Sequence, residues 1–335
     1  MAGELGGAGR ALYFVVPCYN EEEALPRASA VIAGKLKALI GAGKASPTSR
    51  VLFVDDGSRD GTWAKILSLC EGDPRFAGVA LSRNRGHQAA LYAGLMAARG
   101  RANMAVSLDA DLQDDIDAVD AMIDACAKGC DIVYGTRARR ESDTFFKRFT
   151  AEGYYKLLRL LGCEIVFNHA DYRLMSDRAL DALSLYGERD LFLRGLAPML
   201  GFKTSTVEYA RAERVEGESK YTLRAMLKLA ADGALSLSLA PIRLVLCAGA
   251  AMLALAAALF IAWLAKPGLA RSSEEWLALA ASVWGAGGFI TLSVGVAGEY
   301  AGRAYLESKR RPRYIISDTA GDIAPDIYDG RGGAP

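Results

Sequence analysis

At 335 residues the chain is long enough for one large domain or two smaller ones, and its 40 Lys and Arg offset 39 Asp and Glu to a net charge of +1. That balance, with no interleaving of basic and aromatic residues, excludes a nucleic-acid-binding role. The 52% hydrophobic content exceeds the usual soluble range, and the surplus lies in the last third. Residues 1–10 are rich in Gly and Ala and read as a disordered N-terminus. Up to residue 136, short apolar runs alternate with amphipathic stretches. The runs at 11–16, 51–54, 76–81, 104–108 and 131–134 predict strands, and 22–40, 62–70, 88–99 and 116–128 predict the helices between them. Near-continuous apolar strands joined by helices imply an α/β domain, a parallel sheet covered on both faces. The run at 11–16 is too short for a signal peptide. Cys18, Cys70, Cys126, Cys130, Cys163 and Cys247 lack disulfide-like spacing, which fits a reducing compartment. Cys126 and Cys130 share a helix face and read as core thiols. His87 and His169 are the only histidines, too few for a His-based metal centre.

In parallel α/β sheets ligands bind outside the carboxyl ends of the strands, and each unusual cluster falls at such an end. Pro17-Cys18-Tyr19-Asn20-Glu21 follows the first strand, Asp55-Asp56-Gly57-Ser58 the second, and Ser82-Arg83-Asn84-Arg85-Gly86-His87 the third. The fourth carries Ser107 to Asp115, and the fifth Gly135-Thr136-Arg137. Asp109 and Asp111 leave the fourth strand two residues apart, with Gln113 two further on. Converging hard oxygen donors suit Mg2+ or Mn2+, which bind few protein carboxylates and keep positions open for substrate phosphates. Asp114 and Asp115 read as solvated acids at a helix start, where capping and the helix dipole favour them. There is no G-x-G-x-x-G after a strand and no G-x-x-x-x-G-K-[ST]. A phosphorylated ligand must then be held by metal and by basic side chains, for which Arg83, Arg85 and Arg137 are candidates. Ordinary surface arginine is the alternative for each.

The segments Val15-Val16-Pro17-Cys18-Tyr19-Asn20-Glu21-Glu22, Val54 to Thr62 and Leu108 to Asp114 resemble family 2 glycosyltransferases. Within that family the chain is similar to the polyprenyl-phosphate, dolichyl-phosphate-mannose-synthase-like branch, from about residue 13 to 314. The resemblance implies a GT-A fold that moves a sugar from a nucleotide diphosphate (UDP- or GDP-linked) to a lipid phosphate such as undecaprenyl or dolichyl phosphate. It implies that Pro17, Tyr19, Glu21 and Asp56 hold the base and ribose. It likewise implies that Arg83 and Gly86 form the donor-side loop, and Asp109, Asp111 and Gln113 the metal and diphosphate site. Asp114-Asp115 departs from the family's usual Asp-Pro-Pro continuation. Ala170-Asp171-Tyr172-Arg173-Leu174-Met175 resembles a segment whose Asp lies beside the acceptor phosphate, although as a bare sequence Asp171 would pass for a turn acid. Arg194, then Arg211, Arg214, Gly217, Ser219, Lys220 and Tyr221 match the branch's basic acceptor loop, so Arg137, Arg214, Lys220 and Tyr221 are implied at the acceptor phosphate.

Beyond the catalytic domain, 11–220, residues 221–240 read as an amphipathic helix lying on the bilayer, or as a core helix. Residues 244–265 and 276–298 are each uncharged for more than the ~20 residues a spanning helix needs, predicting two transmembrane helices within 241–300. Arg224, Lys228 and Arg243 precede the first; Arg303, Lys309, Arg310, Arg311 and Arg313 follow the second; the link carries only Lys266 and Arg271. The positive-inside rule then places both termini and the catalytic domain in the cytoplasm, at an inner membrane. Small residues Ala281, Gly285, Thr291 and Gly295 permit close helix packing and admit a homo-oligomer. Within 301–335, a basic segment leads to a tail, from Asp318 on, that reads as disordered.

The expected activity is inverting glycosyl transfer for cell-envelope glycan or lipopolysaccharide modification. A divalent ion on Asp109 and Asp111 would offset the charge of the departing nucleoside diphosphate. The acceptor, with a second phosphate pKa near ~6, is already mostly dianionic, so Asp171 either orients it or takes its residual proton. A processive synthase is disfavoured, because neither Gln88 nor Gln113 begins a Gln-x-x-Arg-Trp motif. The rival from another class is a non-catalytic membrane scaffold of the same fold. Its mark would be eroded acids, but Asp56, Asp109, Asp111 and Asp171 are all present.

Overall fold

The computed structural model describes residues 9–137, 169–187, 193–209 and 273–323. The chain divides into two compact units, one of Met1–Tyr155, Glu164–Tyr221 and Arg310–Pro335, the other of Lys156–Cys163 and Thr222–Lys309. All five expected strands are present in the first unit: β1 (Leu12–Cys18), β2 (Arg50–Asp55), β3 (Phe76–Leu81), β4 (Met104–Ser107) and β5 (Ile132–Arg137). So are the four expected helices, α1 (Leu25–Gly41), α2 (Thr62–Gly72), α3 (His87–Ala98) and α4 (Ala118–Ala127). Further along come β6 (His169–Ser176), α5 (Asp177–Ser184), α6 (Leu193–Met199), β7 (Thr204–Tyr209) and β8 (Ile316–Ala320).

The eight strands form one sheet in the order β7-β5-β6-β4-β1-β2-β3-β8. β1 pairs parallel with β2 and β4, β2 with β3, and β5 with β7. β6 is the departure from a parallel αβ alternation: it lies antiparallel between β4 and β5. Its sequence, HADYRLMS, carries an acid and an arginine in the strand interior, which hides it from an apolar-run search.

Side chains alternate across the sheet with the strand period of two. Leu12, Phe14, Val16 and Cys18 of β1 face one core with Leu36 of α1, Ile66 of α2 and Met122 of α4. Tyr13 and Val15 face the other with Leu95 of α3 and Leu183 of α5. Cys126 and Cys130 are buried in the first core, as expected of core thiols. Gly94 lets α3 lie flush on the sheet, since a Cβ there would come within 2.4 Å of Val15 Cγ1 and 2.7 Å of Val54 Cγ2.

The C-terminal reading needs a correction. Asp318, Thr319 and Ala320, within the tail expected to be disordered, belong to β8, which pairs antiparallel with β3 through Thr319 opposite Val79 and Ala320 opposite Gly78, while residues 324–335 lie outside the described residues. Arg313, counted above among the membrane-flanking charges, is buried; its guanidinium lies 4.3 Å from the Tyr92 ring centroid and donates to the Tyr186 carbonyl. Burial of Tyr314, Ile316 and Ile323 in the second core outweighs the polar composition around them.

In the second unit, α7 (Ser273–Ser308) is a 36-residue helix containing the expected span 276–298. Among the described residues no helix is long and apolar enough to cross a membrane. The expected span 244–265, the interfacial helix at 221–240 and residues 1–8 lie outside the described residues.

Candidate active site

The carboxyl ends of β1, β2 and β4 point the same way because these strands are parallel, and hydrogen bonds lock their loops together. After β1, Asn20 adopts φ 53°; its amide donates to Ser58 Oγ (2.9 Å) and its Oδ1 accepts from the Arg59 amide (2.9 Å). The Glu21 amide donates to Thr62 Oγ1 (3.0 Å), and Glu22 Oε2 accepts from the Gly61 amide (2.9 Å). Pro17 is buried within β1, while Tyr19 is 42% exposed at its end.

Asp56 is buried, and its two oxygens accept the backbone amides of Arg85 (2.7 Å) and Gly86 (2.8 Å). Burial pushes its carboxyl above the usual range, outweighing the pull of those amides. The resemblance implies that Asp56 is among the residues that hold the base and ribose; in this geometry its carboxylate shapes the Arg83–Gly86 loop. Gly57 makes that possible, with φ +67°, where a Cβ would meet the Arg83 carbonyl carbon at 2.5 Å. Arg83 itself is exposed.

Beyond β4 the chain turns at Leu112, φ 51°, and Asp111 Oδ1 accepts the Gln113 amide at 3.1 Å. Asp109 is 42% exposed and Asp111 is exposed, whereas the Gln113 side chain is buried. The enclosing protein raises the Asp109 carboxyl against the opposing effect of His87. Among the described residues no cluster of three His, Cys, Asp or Glu forms a metal cage. Two accessible carboxylates are nonetheless the donor set a divalent ion uses when substrate phosphates and water complete its sphere. Gln113 does not share their accessibility, so the three donors expected from sequence reduce to two presented to solvent.

Asp114 is the clearest revision within this loop. It is not a solvated helix acid but a buried one: Tyr209 Oη donates to its Oδ1 at 2.5 Å, and Arg137 Nη2 lies 3.7 Å away. Arg137 Nε also reaches Tyr209 Oη at 3.4 Å. The acid loop is thereby tied to the ends of β5 and β7. Helix α4 starts two residues later than expected, at Ala118, because Asp115 Oδ1 accepts the Asp117 amide (2.9 Å) in a turn and its carbonyl accepts Tyr172 Oη (2.9 Å).

Asp171 lies on β6 opposite β4 and is buried. The adjoining Ser107 donates its hydroxyl to the Asp171 carbonyl. The Asp171 side chain receives Arg173 Nη2 (2.7 Å), Arg194 Nη2 (3.0 Å) and Nε (3.2 Å), and Gln88 Nε2 (3.1 Å). His87 Nε2 stands 3.6 Å from Asp171 and 3.7 Å from Asp109, joining the two acids. Burial alone would raise the Asp171 carboxyl, but His87, Arg194 and Arg173 hold it well below the carboxylate range. Burial disfavours the charged His87 ring, yet Asp171 and Asp109 outweigh it and raise its pKa.

The structure therefore joins Asp109 to Asp171 through His87, with Asp111 on the same turn as Asp109, and separately gathers Tyr19, Glu21, Asp56, Arg83 and Gly86 on interlocked loops. Arg214, Lys220 and Tyr221 lie outside the described residues. Sequence reading overlooked Gln88, Arg173 and Tyr209. Arg173 had a signal, since two residues along a strand puts it on the same face as Asp171. Tyr209 had none, being 95 residues from Asp114.

Comparison with known proteins identifies the family. Residues 13–184 match the family described as Glycosyl transferase family 2. An uncharacterized glycosyltransferase, YkoT, of Bacillus subtilis (strain 168) is 43% identical over 91% of this chain and 90% of its own. The prophage bactoprenol glucosyl transferase homolog of Escherichia coli (strain K12) is 36% identical over 90% of this chain and 97% of its own. The bactoprenol glucosyl transferase of Shigella phage SfV is 36% identical over 91% and 97%. The acid loop of β4, the interlocked loops of β1 and β2 and all of β6 with its Asp171 fall inside the matched region, and the chain belongs to glycosyl transferase family 2.

Proposed function

We propose that this protein is a membrane-anchored glycosyltransferase that moves a sugar, with inversion, from a nucleotide diphosphate to a polyprenyl phosphate. The observation that carries the reading is the juxtaposition of accessible Asp109 with buried, cation-bound Asp171 through His87, at the carboxyl end of β4. Likeness to bactoprenol glucosyl transferases over nine-tenths of the chain supports the acceptor class and makes glucose the first donor to test.

Asp109 and Asp111 would hold Mg2+ or Mn2+, which when bound supplies positive charge against the donor diphosphate. The loops after β1, β2 and β3 would receive the nucleoside, and Asp56 and Gly57 hold the third loop against the second. The acceptor oxygen attacks the anomeric carbon, the bond to the diphosphate breaks, and the electron pair leaves with the nucleoside diphosphate.

Membrane anchoring is supported by α7, on which Leu279 (56%), Val283 (64%), Ile290 (62%) and Val294 (66%) expose apolar side chains. Its sequence from 276 to 298 has no charge. Because β7 and β8 share one sheet, the intervening chain must return to the side it left, which favours an even number of crossings. The test is transfer by purified protein from UDP-glucose to a short polyprenyl phosphate with Mg2+. Lipid-linked sugar is expected; no product across a panel of uridine and guanosine diphosphate sugars would overturn the reading.

A further inference from the structure

We propose that Tyr172 and Tyr209 are positioning residues that hold the turn after β4 in the shape in which Asp109 and Asp111 receive a divalent ion. This rests on the metal role that the proposed function gives those two acids, and it assigns the cause of their arrangement.

The turn has few constraints of its own. No proline fixes φ anywhere in residues 109–118. Leu112 sits in the left-handed region at φ 51°, which a non-glycine residue keeps only where its surroundings hold it there. Asp109 and Asp111, two residues apart, repel each other until a cation arrives. The near end of the turn is fixed by the sheet, since the Leu108 amide donates to the Val15 carbonyl at 3.1 Å. Its far end needs a separate anchor.

Two tyrosines from different strands supply it. Tyr209 of β7 donates to Oδ1 of buried Asp114 at 2.5 Å, and Tyr172 of β6 donates to the carbonyl of the next residue, Asp115, at 2.9 Å. The two rings meet edge to face, with centroids 5.2 Å apart and planes at 83°. β5 runs between β6 and β7, and its Gly135 leaves the gap in which the rings touch. A Cβ there would come within 2.7 Å of Tyr172 Cδ1 and 3.0 Å of Tyr209 Cε1. Each ring is thus braced by the other, and each hydroxyl is directed at the turn. Arg137 joins the group, with Nη2 3.7 Å from Asp114 and Nε 3.4 Å from Tyr209 Oη.

The hold reaches the metal acids through the backbone. Anchoring Asp114 places Gln113, whose amide donates to Asp111 Oδ1 at 3.1 Å. The Leu112 amide closes the turn onto the Asp109 carbonyl at 3.4 Å. An ion gripped by two side chains of one turn binds more tightly when that turn is ordered beforehand, because binding then carries less of the ordering cost. Tyr172 and Tyr209 act through Asp115 and Asp114.

Tyr209→Phe and Tyr172→Phe each remove one hydroxyl and keep both rings. In the full-length protein without metal, hydrogen exchange in peptides spanning 108–117 should quicken at least fivefold in each variant, while peptides of β1 and β2 stay within twofold. Mn2+ binding, read by electron paramagnetic resonance with whichever of uridine or guanosine diphosphate wild type binds, should weaken at least fivefold. At saturating Mn2+, kcat should stay within threefold of wild type. Exchange that quickens less than fivefold in either variant, or that quickens as much in β1 and β2, would overturn the anchoring; should one variant not fold, the other decides. Quickened exchange with Mn2+ affinity within fivefold, or a kcat still depressed at saturating Mn2+, would overturn the positioning of the metal acids. Failure of wild type to bind Mn2+ would overturn the metal role itself, while metal-free exchange still decides whether the tyrosines order the turn.

Discussion

Asp111 leaves the turn after β4 with its side chain in solvent, so Asp111→Asn removes charge without opening the core. Transfer should fall to background while the urea unfolding midpoint stays within error, and excess chelator should do the same to wild type. Near-normal turnover in either case would remove the metal role. Gly57 predicts differently, because its positive φ and the Arg83 backbone both oppose a side chain. Gly57→Ala should cost about 1–3 kcal/mol in urea unfolding and weaken nucleotide binding by displacing the third loop. Asp171 gives a pH signature. Its folded-state pKa is depressed, so its ionisation stabilises the fold above the unfolded value near ~4, and that contribution is lost as pH falls below it. Asp171→Ala leaves Arg173 charged and buried, which should cost about 3–5 kcal/mol at pH 7. Its unfolding free energy should then decline less steeply than wild type between about pH 4 and 3.

Among the elements, β8 has the least obvious origin in sequence and the plainest consequence. It covers the β3 edge that would otherwise present unpaired backbone groups. Truncation after Ile315 would remove Ile316 and Ile323 from the second core. At about 1.5–3 kcal/mol for each fully buried aliphatic side chain, roughly 3–6 kcal/mol should be lost, read as a lower urea midpoint with increased aggregation. An unchanged midpoint would mean that the strand contributes little. β6 shows the opposite balance: its polar interior is held there because Asp171 pairs with Arg173 and with Arg194 and Gln88, between β4 and β5.

At the scale of the whole molecule, one sheet contains strands from both sides of the 222–309 segment. If that segment crosses a bilayer, β7 and β8 must lie on the same side of it. In a cysteine-free background, a cysteine placed in 266–275 should react with an impermeant thiol reagent applied to intact cells, and one replacing exposed Thr319 should not. Labelling of Thr319→Cys from outside would place the nucleotide-sugar site on the wrong face and overturn the topology.

The five β-strands and four helices up to Arg137 were legible because each is a local apolar period, and the acids at the strand ends because a parallel sheet gathers them at one edge. Sequence therefore determined the fold class, the family and Asp109, Asp111 and Asp171 as candidate site residues. It could not distinguish Asp114 from its neighbour Asp115, since one is buried against Tyr209 and the other exposed only through pairing with a strand 95 residues away. Nor could it reveal that β8 closes the sheet, or that Arg173, Arg194 and Gln88 converge on Asp171. Those pairings depend on long-range register, which burial of both partners fixes and which no local pattern encodes.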